Sequence, residues 1–395
     1  MASLLHLPDG ARLRANPRHE LVLFDRLAED ERAALAEYAT DPSFYGVVRT
    51  RDRGREGMRA VDRETALLLL TLHEPGPLPS YARALAGGNL AEQITRLVAD
   101  GLLEVELDGA FLSGAAALES LDRLPREVRV ADTIARLSRE AVEYAEALRL
   151  RDVRQIAERL YGYNRRPLTP DWRRHVPDSV RVASFLHLGA GGATQAAIDQ
   201  AWTEVPLLDG RTNWIGWQAR HVPAHILSNA PYKLYVSPAS DATPDALCIV
   251  ATIAPRCGGT HLKAAGTALG LLRPDKLIAY FPTLESLDAA AREIATATIG
   301  MPVQGVPFTS EIAGDGLLSW GMDPPSRGSP ADATKEVSWR WWVANKLAEY
   351  LVGAQHGQGD GEPGAATAFA IRRLSLDGVD TVSWTPSQTV WAEHA

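Results

Sequence analysis

The sequence predicts a mixed α/β protein of α+β type with more than one domain, and three observations carry that expectation. The chain has 395 residues of which 46% are hydrophobic, too many for one core and too apolar for a disordered chain. Its N-terminal part reads as helices followed by a hairpin. From about residue 176 onward, short apolar strands alternate with amphipathic helices. A stretch of helical periodicity joins the two, giving expected domains at 1-120 and 176-395 with a connector at 121-175.

Taken in order, Leu21 to Thr40 alternates apolar and charged residues at helical spacing, and Tyr45 to Arg49 reads as a short strand before a loop rich in Arg and Gly. Asp62 stands at a cap position for an apolar helix that stops at Glu74-Pro75-Gly76-Pro77. Helices over Ser80 to Ala86 and Leu90 to Asp100 precede Leu102 to Ser113, where Asp108-Gly109 is a strong signal for a type I′ hairpin. Three helices and a hairpin make a winged helix. DNA is a poor partner for it, because the third helix offers Arg96 beside Glu92 and Asp100, and the whole chain carries a net charge of -8. No nucleic-acid partner is expected.

Val130, Ile134, Leu137, Val142, Ala145, Leu148 and Ile156 are spaced for one long helix or two consecutive ones. Tyr161-Gly162-Tyr163-Asn164-Arg165-Arg166-Pro167 then breaks the helix and sets two Arg beside two Tyr, which either grip a phosphopeptide or bridge domains. Beyond it, strands are expected at Val180 to Leu186, Tyr232 to Ser237, Leu247 to Ile253, Leu277 to Phe281 and Phe369 to Leu376. Helices are expected at Ala193 to Trp202, Leu284 to Ala297 with Thr283 as cap, and Arg340 to Ala354. Gln355 to Ala366 reads as a Gly-rich polar loop, and Gly305 to Pro325 as a shaped loop dense in Gly, Pro and aromatics, with Asp315 and Asp323 as turn residues.

Cys248 and Cys257 form no Cys-x-x-Cys pair and have no His cluster nearby, so a zinc site and a disulfide framework are poorly supported, and a reducing cytoplasmic setting is expected. No segment approaches 18 uninterrupted apolar residues, so no membrane partner is expected. Phosphate-loop, dinucleotide-loop, nucleophile-elbow, zinc-protease and kinase signatures are absent. Gly189-Ala190-Gly191-Gly192-Ala193 lacks dinucleotide spacing and reads as a simple turn into a helix.

What remains is a series of cations in the C-terminal half: Lys233 in Tyr232-Lys233-Leu234-Tyr235, Lys263, Arg273 and Lys276 in the stretch from His261 to Phe281, and Arg340 in Ser338-Trp339-Arg340-Trp341. This combination resembles the HopA1-type family and, more distantly, the phosphothreonine lyases and the lyase components of lanthipeptide biosynthesis. In these a Lys-x-His pair precedes a catalytic Lys, with phosphate-binding Arg residues roughly 10 and 75 positions later. The run Val306-Pro307-Phe308-Thr309 is similar as well. The N-terminal pattern resembles the winged-helix recognition elements that bind leader peptides of ribosomally made, modified peptides by strand addition.

The resemblance implies a mostly antiparallel sheet in the C-terminal domain, Lys263 as base, Lys233 as the Lys of the pair, and Arg273 and Arg340 as phosphate ligands, with Lys276 beside them as a further phosphate- or substrate-binding residue. Tyr235 stands where the lyases have the His that protonates the leaving group, so either Tyr235 or Lys233 is the acid or the activity is lost. Burial together with Arg273 and Lys276 is expected to lower the pKa of Lys263, since a base must be neutral. The implied function is maturation of a precursor peptide, with phosphate eliminated from phospho-Ser or phospho-Thr to leave dehydroamino acids. A partner kinase is implied, and no cofactor is required. The alternative is a non-catalytic scaffold that binds the peptide or the kinase.

Overall fold

The computed structural model describes residues 10–51, 58–85, 90–121, 132–205, 214–220, 222–227, 230–324, 338–357 and 364–386. Residues 52–57 of the Arg/Gly-rich loop after Thr50, and residues 358–363 of the Gly-rich stretch 355–366, lie outside these residues. The chain is α+β, and every named strand pair is antiparallel. Two compact units are distinguished. One comprises described residues of Met1–Glu127 together with Glu349–Asp377, the other those of Val128–Pro324, Val337–Ala348 and Gly378–Ala395.

The first unit opens with β1 (Arg12–Ala15), β2 (His19–Leu23), α1 (Glu29–Ala34), β3 (Phe44–Thr50) and β4 (Arg59–Asp62). It continues with α2 (Arg63–Thr71), β5 (Gly76–Pro77), α3 (Ser80–Leu85), α4 (Leu90–Ala99), β6 (Leu103–Leu107), β7 (Ala110–Leu112) and α5 (Gly114–Leu121). The expected helix over Leu21 to Thr40 gives way to a strand and a shorter helix, because Leu21 to Leu23 pair with Gly46 to Val48 and sheet pairing overrides a weak local preference. Asp62 caps α2 by accepting a hydrogen bond from the Thr65 amide. Asp108 and Gly109 both take positive φ, 49° and 81°, as the two-residue turn between β6 and β7 requires. Two sheets result, β5-β1-β6-β7 and β2-β3-β4, over a core that includes Leu13, Leu69, Ile94, Val98 and Leu103.

The second unit contains α6 (Thr133–Ala147), α7 (Val153–Tyr161), α8 (Pro170–His175), α9 (Ser179–Phe185), α10 (Ala193–Ala201), β8 (Trp202–Glu204), β9 (Trp214–Ala219), α11 (Ala224–Leu227) and β10 (Tyr232–Val236). There follow α12 (Thr243–Ile253), β11 (His261–Ala265), α13 (Ala268–Leu271), β12 (Leu277–Phe281), α14 (Leu284–Ala297), β13 (Ser310–Ile312) and β14 (Leu318–Met322). Helix α15 (Trp339–Gly357) contributes its residues 339–348 here and 349–357 to the first unit, which also holds α16 (Ala365–Leu376). The pair β15 (Val379–Asp380) and β16 (Thr385–Pro386) closes the second unit.

Three expected strands are helices. Val180 to Leu186 falls mostly in α9, where Asp178 caps the Arg181 amide and Val182 and Leu186 are buried one turn apart. Leu247 to Ile253 lies in α12, which starts with Pro244 in its first turn and buries Leu247, Val250 and Ala251. Phe369 to Leu376 lies in α16, with Phe369, Arg373 and Leu376 on its buried side. A short apolar run has no period long enough to separate a buried strand from a buried helix, and here the longer helical context decides.

The seven strands run in the order β13-β14-β10-β12-β11-β9-β8. Because side chains alternate, this sheet has two unlike faces. Leu234 and Val236, Leu262 and Ala264, and Leu277, Ala279 and Phe281 enter the main core with Leu247 and Val250 of α12 and Leu287 and Ile294 of α14. The opposite face carries Lys233 and Tyr235, His261 and Lys263, and Ile278 and Tyr280. Over β14, on this face, Trp339 packs so closely that a Cβ on Gly321 would lie 2.6 Å from a Trp339 ring carbon. The Trp339 indole is fixed there by a 2.8 Å hydrogen bond to the Phe308 carbonyl. Gly321→Val is therefore expected to destabilise the fold by about 1–3 kcal/mol through overpacking. Urea unfolding checks this, and an unchanged midpoint would refute the packing argument.

Candidate functional site

The register of three central strands sets the site. Lys233 of β10 lies opposite Tyr280 of β12, which lies opposite His261 of β11. One row along, Tyr235, Ile278, Lys263 and Gly216 form a second line across the same face. The Tyr280 ring stands between two lysines: the Lys233 ammonium is 5.3 Å from its centroid and the Lys263 ammonium 5.1 Å. Such an arrangement attracts cations to the ring and concentrates positive charge on an otherwise apolar sheet. Lys233 is ion-paired with Asp323, which thus does more than shape a turn, whereas Asp315 accepts the Leu317 amide as a turn residue does. Lys263 sits in mid-strand rather than at an element's end.

Arg273 and Arg340 do come together, and they do so on a carboxylate of the protein itself. Arg273 meets Asp275 through Nε and Nη2, both at 2.8 Å, and Arg340 Nη1 reaches the same Oδ2 atom at 2.7 Å. Tyr161 completes the knot. Its hydroxyl accepts from Arg273 Nη2 at 2.9 Å, its carbonyl accepts from Arg340 Nη2 at 3.0 Å, and both guanidinium groups lie over its ring. Arg340 is 1% exposed, and its Nε donates to the Pro307 carbonyl, so all its nitrogens serve the interior. Arg273 is less enclosed, and its Nη1 has no hydrogen bond among the described residues.

Burial opposes ionisation of Asp275, but Arg340 and Arg273 outweigh it and hold the carboxyl well below the usual carboxylate range. Arg165, on the 162–167 turn, feels Arg273 and Arg340, and desolvation of its guanidinium together with Arg273 lowers its affinity for a proton. Three guanidinium groups therefore gather about one carboxylate, leaving a local excess of positive charge in a chain that is acidic as a whole. The turn is riveted in place: the Arg166 amide donates to the Leu272 carbonyl, Asn164 donates to the carbonyls of Gln304 and Gly305, and Gln304 donates back to Asn164.

Lys276 is set apart from the open face. It is wholly enclosed, and its ammonium donates to the Pro238 carbonyl at 2.7 Å and to Gln304 Oε1 at 2.6 Å. Burial pushes it down to about 7 against the pull of Asp275. Tyr235 is also enclosed, 2% exposed, packed with Ile278 and Val306, and burial raises its phenol well above 10. Among the described residues, no group of three or more His, Cys, Asp or Glu side chains could hold a metal ion. No helix among them is long and apolar enough to cross a membrane.

No family model and no curated protein matches the chain. Several solved structures resemble it distantly. The effector protein from Pseudomonas syringae pv. syringae strain 61 is 15% identical, covering 66% of this chain and 99% of its own, with a TM-score of 0.39. The effector protein from Pseudomonas syringae pv. tomato strain DC3000 is 14% identical over the same shares, with a TM-score of 0.40. The type III effector and phosphothreonine lyase OspF from Shigella flexneri is 11% identical, covering 46% of this chain and 89% of its own, at 0.26. At these scores the likenesses carry no argument about chemistry.

Two expectations follow from the buried charges. Asp275→Asn leaves two enclosed guanidinium groups unpaired and is expected to cost about 3–5 kcal/mol of stability, read from urea unfolding. A loss below about 1 kcal/mol would mean that the pair is not the clasp described. Lys276 binds its proton more weakly folded, at about 7, than its ordinary 10.5. The unfolded chain therefore holds a proton that the fold lacks between these values, and stability rises with pH across that window. Between pH 7 and 9 the wild type should gain about 2 kcal/mol more than Lys276→Met. Equal gains would contradict the assignment.

Proposed function

We propose that this chain is a phosphoserine/phosphothreonine lyase, which eliminates phosphate from a phosphorylated precursor peptide and leaves a dehydroamino acid. The observation that carries the reading is the pair of ammonium groups of Lys233 and Lys263 flanking Tyr280 on one sheet face, next to the Arg273 and Arg340 knot. Trp214 links the two groups: it lies beside the end of the Lys263 strand, opposite Ala265, and its ring is 5.2 Å from the Arg273 guanidinium.

The reaction needs a base for a weakly acidic α-proton and positive charge at the departing phosphate. Lys263 takes the proton. Lys233, oriented by Asp323, and Nη1 of Arg273, whose other two nitrogens are engaged, receive the phosphate. Arg340 acts through charge and through fixing Asp275, while Lys276, held by Gln304, supports the segment from the inside. The phosphorylated substrate implies a partner kinase. The first unit, with its hairpin of β6 and β7, is the proposed binder of the peptide leader by strand addition.

A second reading, a non-catalytic scaffold for the peptide or the kinase, is favoured by one observation: the Asp275 carboxylate already satisfies the arginine forks that would clasp a phosphate. The two readings part on Lys263. Incubating a synthetic phosphoserine peptide with the wild type should release phosphate and lower the peptide's mass by phosphoric acid. Lys263→Ala should reduce that rate by about a hundredfold or more while leaving peptide affinity within about threefold. Peptide binding without elimination by the wild type would establish the scaffold instead. Adding leader peptide to the full chain should slow amide hydrogen exchange within 45–113, and protection confined to the second unit would refute the leader assignment.

A further inference from the structure

Within the lyase reading, the proton donor is the unfilled role. Tyr235 occupies the strand position that the resemblance assigns to it, yet it is 2% exposed and walled in by Ile278 and Val306, so its hydroxyl has no route to a ligand on the face. Lys233 is engaged with Asp323. The seven strands of the sheet contain one histidine, His261. It lies two residues before Lys263 on β11, hence on the same face, at a separation of about 7 Å along the strand. Its ring meets Tyr280 edge to face at 6.1 Å, so one tyrosine ring is shared by Lys233, Lys263 and the imidazole.

The immediate surroundings of His261 orient it. Thr260 Oγ1 donates its hydroxyl hydrogen to the Tyr280 carbonyl at 3.1 Å, so the same oxygen serves as acceptor for His261 Nδ1, 3.2 Å away. Nδ1 then keeps its hydrogen in the neutral ring, and the proton that comes and goes is the one on Nε2. His261 is part-exposed, as a group that must reach a substrate has to be.

We propose that His261 is the general acid of the elimination, and that the acid in this chain stands on the strand of the base rather than on β10. The amine of Lys263 removes the α-proton, and that electron pair becomes the Cα=Cβ bond. The Cβ–O bond breaks with its pair going to the phosphate oxygen, which takes the Nε2 proton of the imidazolium. Dehydroalanine and hydrogen phosphate leave, and a proton passes through solvent from Lys263 back to His261.

The test uses the full chain and a synthetic peptide bearing one phosphoserine, with His261→Ala, His261→Gln and Lys263→Ala beside the wild type. Loss of the acid should lower kcat by about a hundredfold or more with KM within about threefold. Free imidazole in the buffer should restore at least about tenfold of the His261→Ala rate and none of the Lys263→Ala rate, a rescue that a folding defect would not show. An active wild type with His261→Gln within about threefold of it overturns the assignment, as does a lost rate that imidazole leaves untouched. A wild type that releases no phosphate overturns the lyase reading, and the acid with it.

Discussion

The second unit is built around one buried carboxylate. Asp275, 2% exposed, is bound on one side by Arg273 and on the other by Arg340, with the Tyr161 hydroxyl 3.2 Å from Oδ2. Taking such charges out of water is costly, and only near-complete hydrogen bonding offsets it. Each member therefore fixes the others. The segment between β11 and β12, the end of α7, the start of α15 and the loop through Pro307 are all tied to this point. Removing any one charge would leave the remainder unbalanced in a poorly polarisable setting.

The central sheet separates charge from core. Alternation puts Leu262, Ala264 and Ala279 into the core between β-sheet and helices, and by the same rule puts His261, Lys263 and Tyr280 on the other side. The positive charge of one face and the apolar core behind the other are thus written into alternate residues of the same strands. A slip of one residue in any of them would exchange the two sets, so the apolar core also specifies where the lysines stand.

Much of this was legible in the sequence. Capping residues marked α2 and α14, the Asp108-Gly109 turn marked its hairpin, and the run from Leu277 to Phe281 is the strand it resembles. Arg273 and Arg340 do share a partner. What the sequence concealed was register and the sign of the partner. Asp275 stands two residues from Arg273 in a Pro-containing turn, where an acidic residue ordinarily faces water. Tyr280 is an apolar-looking member of a strand until its cross-strand neighbours are known to be Lys233 and His261. Lys276 reads in the sequence as one more cation for a phosphate, whereas it is enclosed and spends its donors on Pro238 and Gln304. The helices at Leu247 and Phe369 were hidden because continuous apolar runs lack a readable period.

The Asp275 clasp also fixes a sequence of events for the growing polypeptide. Arg340 lies 65 residues beyond Asp275, and 179 beyond Tyr161, whose carbonyl it binds. Strand β10 likewise acquires its β14 neighbour only after the whole stretch through Met322 exists. As the ribosome delivers the chain from its N-terminus, helices such as α6 and α7 can close on local contacts, whereas the cationic face waits for distant segments. The cationic face is therefore assembled late, once segments distant in sequence have emerged to hold it.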